Sequence, residues 1–330
     1  MKIDVFPHIV PQSVKERTET MGKKSRRPGP PCMYDLDMRF RFMEGFPDYA
    51  QVLTLPVSTI DDAAEGPHSL DLARFANEQL AELCAKHPDR FLGFAAAVPI
   101  MDMDAALPEV DRAVGELGAV GIEIGTNVHG IPMDDPRFEP FYAKMAALDK
   151  TIWVHPTRPV SFADYSTESA SKYRLNVTFG WPYDSAIFMS RMIFSGVTVR
   201  YPGLRFITHH AGGIVPHLAD RIVSQSHEPG PDGGPSLAET WGGGDVIDHY
   251  KRFFGDTSLQ GIASHTLACA LAFYGPEHIL FGTDTPFGVE GGLAFIRDGI
   301  RMVERADLGA ADRQKIFEGN ARRILGLRPA

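Results

Sequence analysis

The sequence predicts one α/β domain, a single (β/α)8 barrel of the TIM type, with loops inserted after strand 1 and after the strand-6 helix. Three observations predict it. Eight short β-rich runs recur along the 330 residues, separated by stretches with helical spacing of apolar residues. The runs are near-continuously apolar instead of alternating, as in parallel strands covered on both faces. The length suits one barrel, typically about 250 residues, with insertions, so residues 1–330 are expected to form a single domain.

Taken in order, the first run is Ile3–Phe6 and the second is Ala50–Leu55, followed by a helical pattern over Ser69–His87. The third is Phe91–Ala97, followed by a helix over Met103–Leu117. The fourth, Val120–Gly125, leads to a helix over Glu139–Leu148, and the fifth is Thr151–Val154. Helices over Tyr183–Ser195 and Ile214–Ser224 flank the sixth run, Leu204–Thr208. Phe253–Gly255 is the seventh, followed by a helix over Ile262–Tyr274. Ile279–Gly282 is the eighth, and helices over Gly292–Ala306 and Ala310–Leu325 complete the set. Eight strands alternating with helices favour a closed parallel barrel. An open doubly wound sheet is the alternative, but the glycine-rich phosphate turn usual after its first strand is missing. Two stretches read as irregular, residues 11–36 and 226–245, both rich in proline and glycine; long loops of this kind usually serve as lids or contacts.

The composition is ordinary for a globular chain, with 44% hydrophobic and 23% charged residues, enough to bury a sizeable core. A net charge of −9 and the lack of a long basic run argue against nucleic acid as a partner. The short run Lys23–Lys24–Ser25–Arg26–Arg27 reads as a solvated loop. Cys32, Cys84 and Cys269 have no zinc-finger or CxxC spacing and suit a reducing compartment. No apolar run is long enough to span a membrane, and the chain enters a strand at once without a signal peptide, so a cytoplasmic location is expected.

Ionisable residues collect where the strands end. His8 follows the first run, His155 the fifth, His209 and His210 the sixth, Asp256 the seventh and Asp284 the eighth. In a barrel these ends converge on one mouth. Imidazoles and carboxylates meeting there have the donor chemistry to bind a divalent metal and to position water or substrate. A single histidine after a strand is usually a hydrogen-bonded structural residue; the weight lies in their combination. The other histidines read as mostly surface residues, and His265 as the start of a helix.

The succession IDVFPHIVP, IWVHP, MIFSGVTVRYPGLRFITHHAGGIVP, FGDTS, ILFGTDTPFG and NARRILGL resembles the amidohydrolase-2 family over nearly the whole chain. That group includes aminocarboxymuconate-semialdehyde decarboxylase and the γ-resorcylate-type decarboxylases. The order of motifs is specific for the family and less so for the reaction, since decarboxylases, hydrolases and hydratases share it. The resemblance implies that His8, His155 and Asp284 are metal ligands, that Asp284 also handles a proton, and that His210 acts beside the substrate. Successive strand residues face opposite sides, so only one of His209 and His210 should point into the mouth; the resemblance selects His210. One position departs from the pattern: Phe6 stands where the family has a histidine or glutamate ligand, and a phenyl ring has no lone pair to donate. Three ligands plus water remain a sufficient zinc set, and His210 is a possible substitute ligand.

Arg39 and Arg41, in YDLDMRFRFME, are candidates to grip a substrate carboxylate, as an arginine in a similar segment does in the decarboxylase branch. Arg158, in HPTRP, is a further anion contact, and Trp181 can face an unsaturated ring or pack between helix and barrel. The resulting expectation is a metal-dependent non-oxidative decarboxylase of a small aromatic or unsaturated carboxylic acid. It would use one divalent ion, zinc ahead of manganese, and act as a homodimer with only a small molecule as substrate. Hydrolysis of an amide, lactone or C–C bond by metal-bound water is the alternative reaction. A non-catalytic binding barrel with a degenerate site is the alternative class, motivated by Phe6.

Overall fold

In the computed structural model, residues 1–21, 29–57, 59–61, 63–230, 232–241, 244–261 and 264–328 are described. The run Lys23–Arg27 lies outside them. Eight parallel strands form one sheet: β1 Lys2–Asp4, β2 Tyr49–Leu53, β3 Phe91–Ala96, β4 Gly121–Gly125, β5 Thr151–His155, β6 Arg205–Thr208, β7 Phe254–Asp256 and β8 Ile279–Leu280. Each pairs with the next in sequence, as in Gly121 opposite Thr151 and Ile207 opposite Phe254. The last strand returns to the first. Val5 N donates to Phe281 O at 3.0 Å and Asp284 N to Phe6 O at 3.1 Å. The buried carboxylate of Asp4 reinforces this seam by accepting from Thr283 Oγ1 at 2.5 Å and from Tyr49 Oη at 2.5 Å. The architecture is the expected (β/α)8 barrel.

The interior is apolar at the bottom and polar at the top. Ile3, Val5, Phe6, Val52, Trp153, Ile207 and Leu280 fill the barrel, and Ala321, Ile324 and Leu325 of the final helix pack against them. That helix plugs the end where the strands begin, since Thr151 Oγ1, at the start of β5, donates to Ile324 O at 3.0 Å. Trp153 Nε1 donates to Val5 O at 2.8 Å, which satisfies its one donor inside the core. Water is thus excluded from below, and the polar groups have only the opposite mouth. No described helix is long and apolar enough to cross a membrane.

Three differences from the expected elements have physical reasons. Residues 11–36 are not wholly irregular: a helix covers Gln12–Thr20 and a 3-10 turn Pro31–Met33. Only Val14 of that helix is buried, so it carries no apolar period; instead Gln12–Glu16 and Lys15–Glu19 pairs one turn apart line its outer side. The expected helix Ile214–Ser224 becomes a 3-10 turn at Pro216–Leu218 and a helix over Ala219–Ser226, because a tight turn through Gly213 precedes it. Gly213 has φ +65°, and a Cβ there would lie 2.3 Å from Pro182 O. His249 is not a surface residue: it is buried under Trp241, with 4.4 Å between ring centroids.

Candidate active site and metal centre

The mouth gathers one histidine from each of two strand ends and two from a third. His8 follows β1 and is bridged to Thr54 beyond β2; its Nδ1 lies 3.2 Å from Thr54 Oγ1. His155 ends β5, with Nδ1 2.8 Å from Pro156 O. His209 follows β6, with Nδ1 2.5 Å from Asp256 Oδ2, and the next residue, His210, places Nδ1 2.6 Å from Ser258 O. A carbonyl and a carboxylate oxygen only accept, so Nδ1 of His155, His209 and His210 carries the proton. Thr54 Oγ1 donates to Pro7 O at 3.0 Å, so Nδ1 of His8 is likewise the donor. All four rings are therefore anchored through Nδ1–H, with Nε2 left for the mouth.

Both histidines of the His209–His210 pair point inward, and this corrects the expectation that only His210 does. The alternation rule requires an extended chain, but the strand ends at Thr208. His210 (φ 56°, ψ 43°) and Ala211 (φ 55°, ψ 33°) are left-handed, so the chain curls and delivers successive side chains to one side. Their rings lie 3.9 Å apart between centroids. His209 is fully buried and stacks on Phe6, while His210 is half-buried and lies parallel to Trp181 at 6.2 Å.

Asp284, beyond β8, completes the cluster. Its Oδ1 lies 3.4 Å from His8 Nε2 and 3.5 Å from His209 Nε2, and its Oδ2 accepts from Gln260 Nε2 at 3.0 Å. Among the described residues neither of the two Nε2 atoms has a hydrogen-bond partner, although both are buried. Ligand atoms of His8, His155 and His209 all lie within 4.8 Å of one another, as do those of His209, His210 and Asp284. Tetrahedral zinc with 2.0–2.1 Å bonds needs donors about 3.3 Å apart, so small side-chain shifts close the gap. Buried, unpartnered imidazole nitrogens facing a carboxylate fit a divalent cation: they have no other positive partner to offset their burial.

The charges are strongly coupled. Burial works against a charged Asp284, yet His209 and His8 hold its carboxyl well below the ordinary aspartate value. Burial also opposes charge on His209, but Asp256 and Asp284 prevail and push its imidazole up to about 10. Burial and the neighbouring His209 charge pull His210 down to about 4, and burial together with His209 and His8 pulls His155 well below the usual histidine value.

The four expected substrate contacts have four different placements. Arg39 is buried behind His8 and does not reach the mouth. Its Nη1 donates to Gln51 Oε1 at 2.6 Å, its Nη2 to His8 O and its Nε to Cys32 O at 3.4 Å, so the guanidinium fixes the His8 backbone instead of a carboxylate. Arg41 is exposed on the helix Leu36–Glu44, away from this cluster. Arg158 is half-buried and paired with Asp184 at 3.2 Å, its guanidinium over the Phe162 and Tyr183 rings. Trp181 does face the mouth: its ring is edge-on to His155 at 5.2 Å as well as parallel to His210. Phe287 lies against His8 from the other side at 5.5 Å.

Several members of the site carried little signal in the sequence. Asp256 stood at a strand end without a role; its Oδ1 accepts from His210 N and Ser258 N, both at 3.0 Å, while Oδ2 holds His209. Glu123 projects from β4 into the barrel opposite Trp153, buried and with Oε1 unpartnered. Burial pushes its carboxyl well above the ordinary glutamate value against the opposing pull of His209. The doubled histidine before Ala211–Gly212–Gly213 was the one available signal for His209, because glycines there mark a turn in which strand alternation ends.

Comparison with known proteins agrees with the fold. The family profile described as Amidohydrolase matches residues 35–327. The γ-resorcylate decarboxylase of Rhodococcus jostii is 31% identical over 301 residues, covering 88% of this chain and 87% of that one. A crystal structure of 2,6-dihydroxybenzoate decarboxylase with 2,6-dihydroxybenzoate superposes with a TM-score of 0.80 at 26% identity, covering 98% of each chain. The dihydroxybenzoic acid decarboxylase of Polaromonas sp. JS666, with bound manganese and the inhibitor 2-nitroresorcinol, gives 0.77 at 26% identity, covering 100% of this chain and 98% of that one.

Proposed function

Since the chain belongs to the Amidohydrolase family and its relatives are decarboxylases, we propose that it is a divalent-metal-dependent, non-oxidative decarboxylase of a small hydroxylated aromatic acid. The observation that carries the reading is the cluster at the barrel mouth, where ring nitrogens of His8, His155 and His209 lie within 4.8 Å of one another and Asp284 Oδ1 lies 3.4 Å from His8 Nε2, beside the rings of His210 and Trp181. His8, His155 and Asp284 would hold the ion. Zinc is the first choice for imidazoles with a carboxylate, and manganese, which a related decarboxylase carries, is the second. A bound ion supplies positive charge to draw in a carboxylate and the hydroxyl oxygen beside it.

The chain's own residues do the remainder. Trp181 offers a flat face along one side of the mouth, parallel to the His210 ring. Nδ1 of His210 is committed to Ser258 O, so its Nε2 is the atom that takes or gives a proton. Asp284, a carboxylate that accepts from Gln260, is the second group able to relay one. A proton taken up from solvent passes through His210 or Asp284 to the carbon bearing the carboxylate. The C–C bond then breaks, its electron pair restores the ring, and carbon dioxide leaves, with one solvent proton consumed per turnover. The apolar barrel floor beneath keeps bulk water from the ring.

Incubation of the metal-loaded protein with hydroxybenzoates and muconate-type acids, with carbon dioxide measured, tests the proposal. Release from at least one acid, lost on Asp284→Asn, supports it; no release from any acid refutes it.

A further inference from the structure

We propose that His209 is itself a ligand of the divalent metal, so that the ion is gripped from β1, β5, β6 and β8. The inference rests on the metal reading above and deepens it. The geometry is the first support: ring nitrogens of His8, His155 and His209 converge within 4.8 Å, and Asp284 Oδ1 is nearly equidistant from His8 Nε2 and His209 Nε2, at 3.4 and 3.5 Å. His209 thus stands to Asp284 as the ligand His8 does.

The second support is the unmet demand of its nitrogen. His209 Nε2 is fully buried and has no hydrogen-bond partner among the described residues. Leaving such a group unsatisfied is unfavourable, and a coordinated cation removes that cost. The third support is its mounting. Nδ1 is tied to Asp256, and Asp256 is in turn held by two backbone N–H groups. A carboxylate behind the far nitrogen of an imidazole fixes its tautomer and raises its basicity as a ligand. Phe6 contributes the orientation. It offers no donor from β1, but its ring lies on that of His209 and holds it edge-on to the site.

His210 is the rival for this role, since it too comes within ligand range of His209 and Asp284. It does not group with His8 and His155, however. Its ring centroid is 6.5 Å from that of His155, against 5.1 Å for His209, and it is half-exposed beside Trp181.

The test is metal affinity. The full-length chain, stripped by chelator, is titrated with zinc against a chromophoric chelator, and its cobalt derivative is read by visible absorption. His8→Ala is the ligand control, and a thermal melt confirms that each variant is folded. Wild type should bind one ion. Asp256→Asn should weaken binding about 10–100-fold, as loss of a supporting carboxylate does, and His209→Ala by more, with a changed cobalt spectrum. His210→Ala should leave affinity within a few-fold of wild type. If His209→Ala fails to fold, His209→Gln and Asp256→Asn decide by the same criterion. Folded His209 variants that bind zinc like wild type, while His8→Ala does not, overturn the inference and leave the metal reading intact. A wild type that binds no ion overturns both.

Discussion

The ring of Phe6 lies on the imidazole of His209, with 3.9 Å between centroids and 26° between planes. Strand β1 therefore contributes packing to the site where the family pattern leads one to expect a ligand, and β6 contributes a second imidazole. Phe6 is fully buried within the barrel core. Replacing it by alanine opens a cavity beneath His209 and should cost about 3–5 kcal/mol of stability. Phe6→Leu, which keeps most of the volume, should cost much less. Chemical denaturation of both variants measures this; equal, small losses would show that the ring supports nothing.

Arg39 is the second test, because its role changed most between sequence and structure. Its donors meet Gln51 and the His8 and Cys32 carbonyls inside the protein. Arg39→Met should therefore lower stability by about 1–3 kcal/mol, the cost of acceptors left without a donor, and disturb metal binding through His8. A direct carboxylate contact would behave differently, with KM raised and the melting temperature unchanged. Steady-state kinetics beside a thermal melt separates the two.

Glu123 predicts a pH dependence. Burial pushes its carboxyl well above the ordinary value, so the native state keeps a proton that the unfolded chain releases above about pH 4.5. The unfolded state then binds fewer protons, and stability falls as pH rises, by at most about 1.4 kcal/mol per pH unit, until the folded-state value is reached. Glu123→Gln mimics the neutral form and lacks this loss. The melting-temperature advantage of the variant should widen between pH 5 and pH 8; an advantage that shrinks as pH rises would contradict the assignment.

Metal removal should also be visible without any substrate. An ion bound only by the folded state stabilises it by about 2.7 kcal/mol at a hundredfold excess over Kd. Zinc or manganese added to the chelator-stripped chain should raise its melting temperature, and His8→Ala should abolish the rise. An equal rise in that variant would place the ion elsewhere.

Most of the fold was legible in the sequence because parallel barrel strands are apolar on both faces, so runs such as Thr151–Val154 stand out without any periodicity. The helix Gln12–Thr20 was not legible, since it buries one residue and its stability comes from polar pairs along its outer side. At the site, strand ends located His8, His155, His210 and Asp284 at one mouth. The inward turn of His209 depends on left-handed φ values at His210 and Ala211, which strand alternation does not anticipate. The burial of Arg39 behind His8 depends on packing between a helix and β2, and an arginine destined for a carbonyl reads the same as one destined for a substrate.

The most direct test of the account is the fate of the substrate carbon. The metal-loaded protein, turning over a hydroxybenzoate in heavy water, should release one carbon dioxide per product and place a single deuterium on the carbon that bore the carboxylate. Solvent oxygen entering the product, with no carbon dioxide formed, would contradict decarboxylation and assign the mouth to hydrolysis instead.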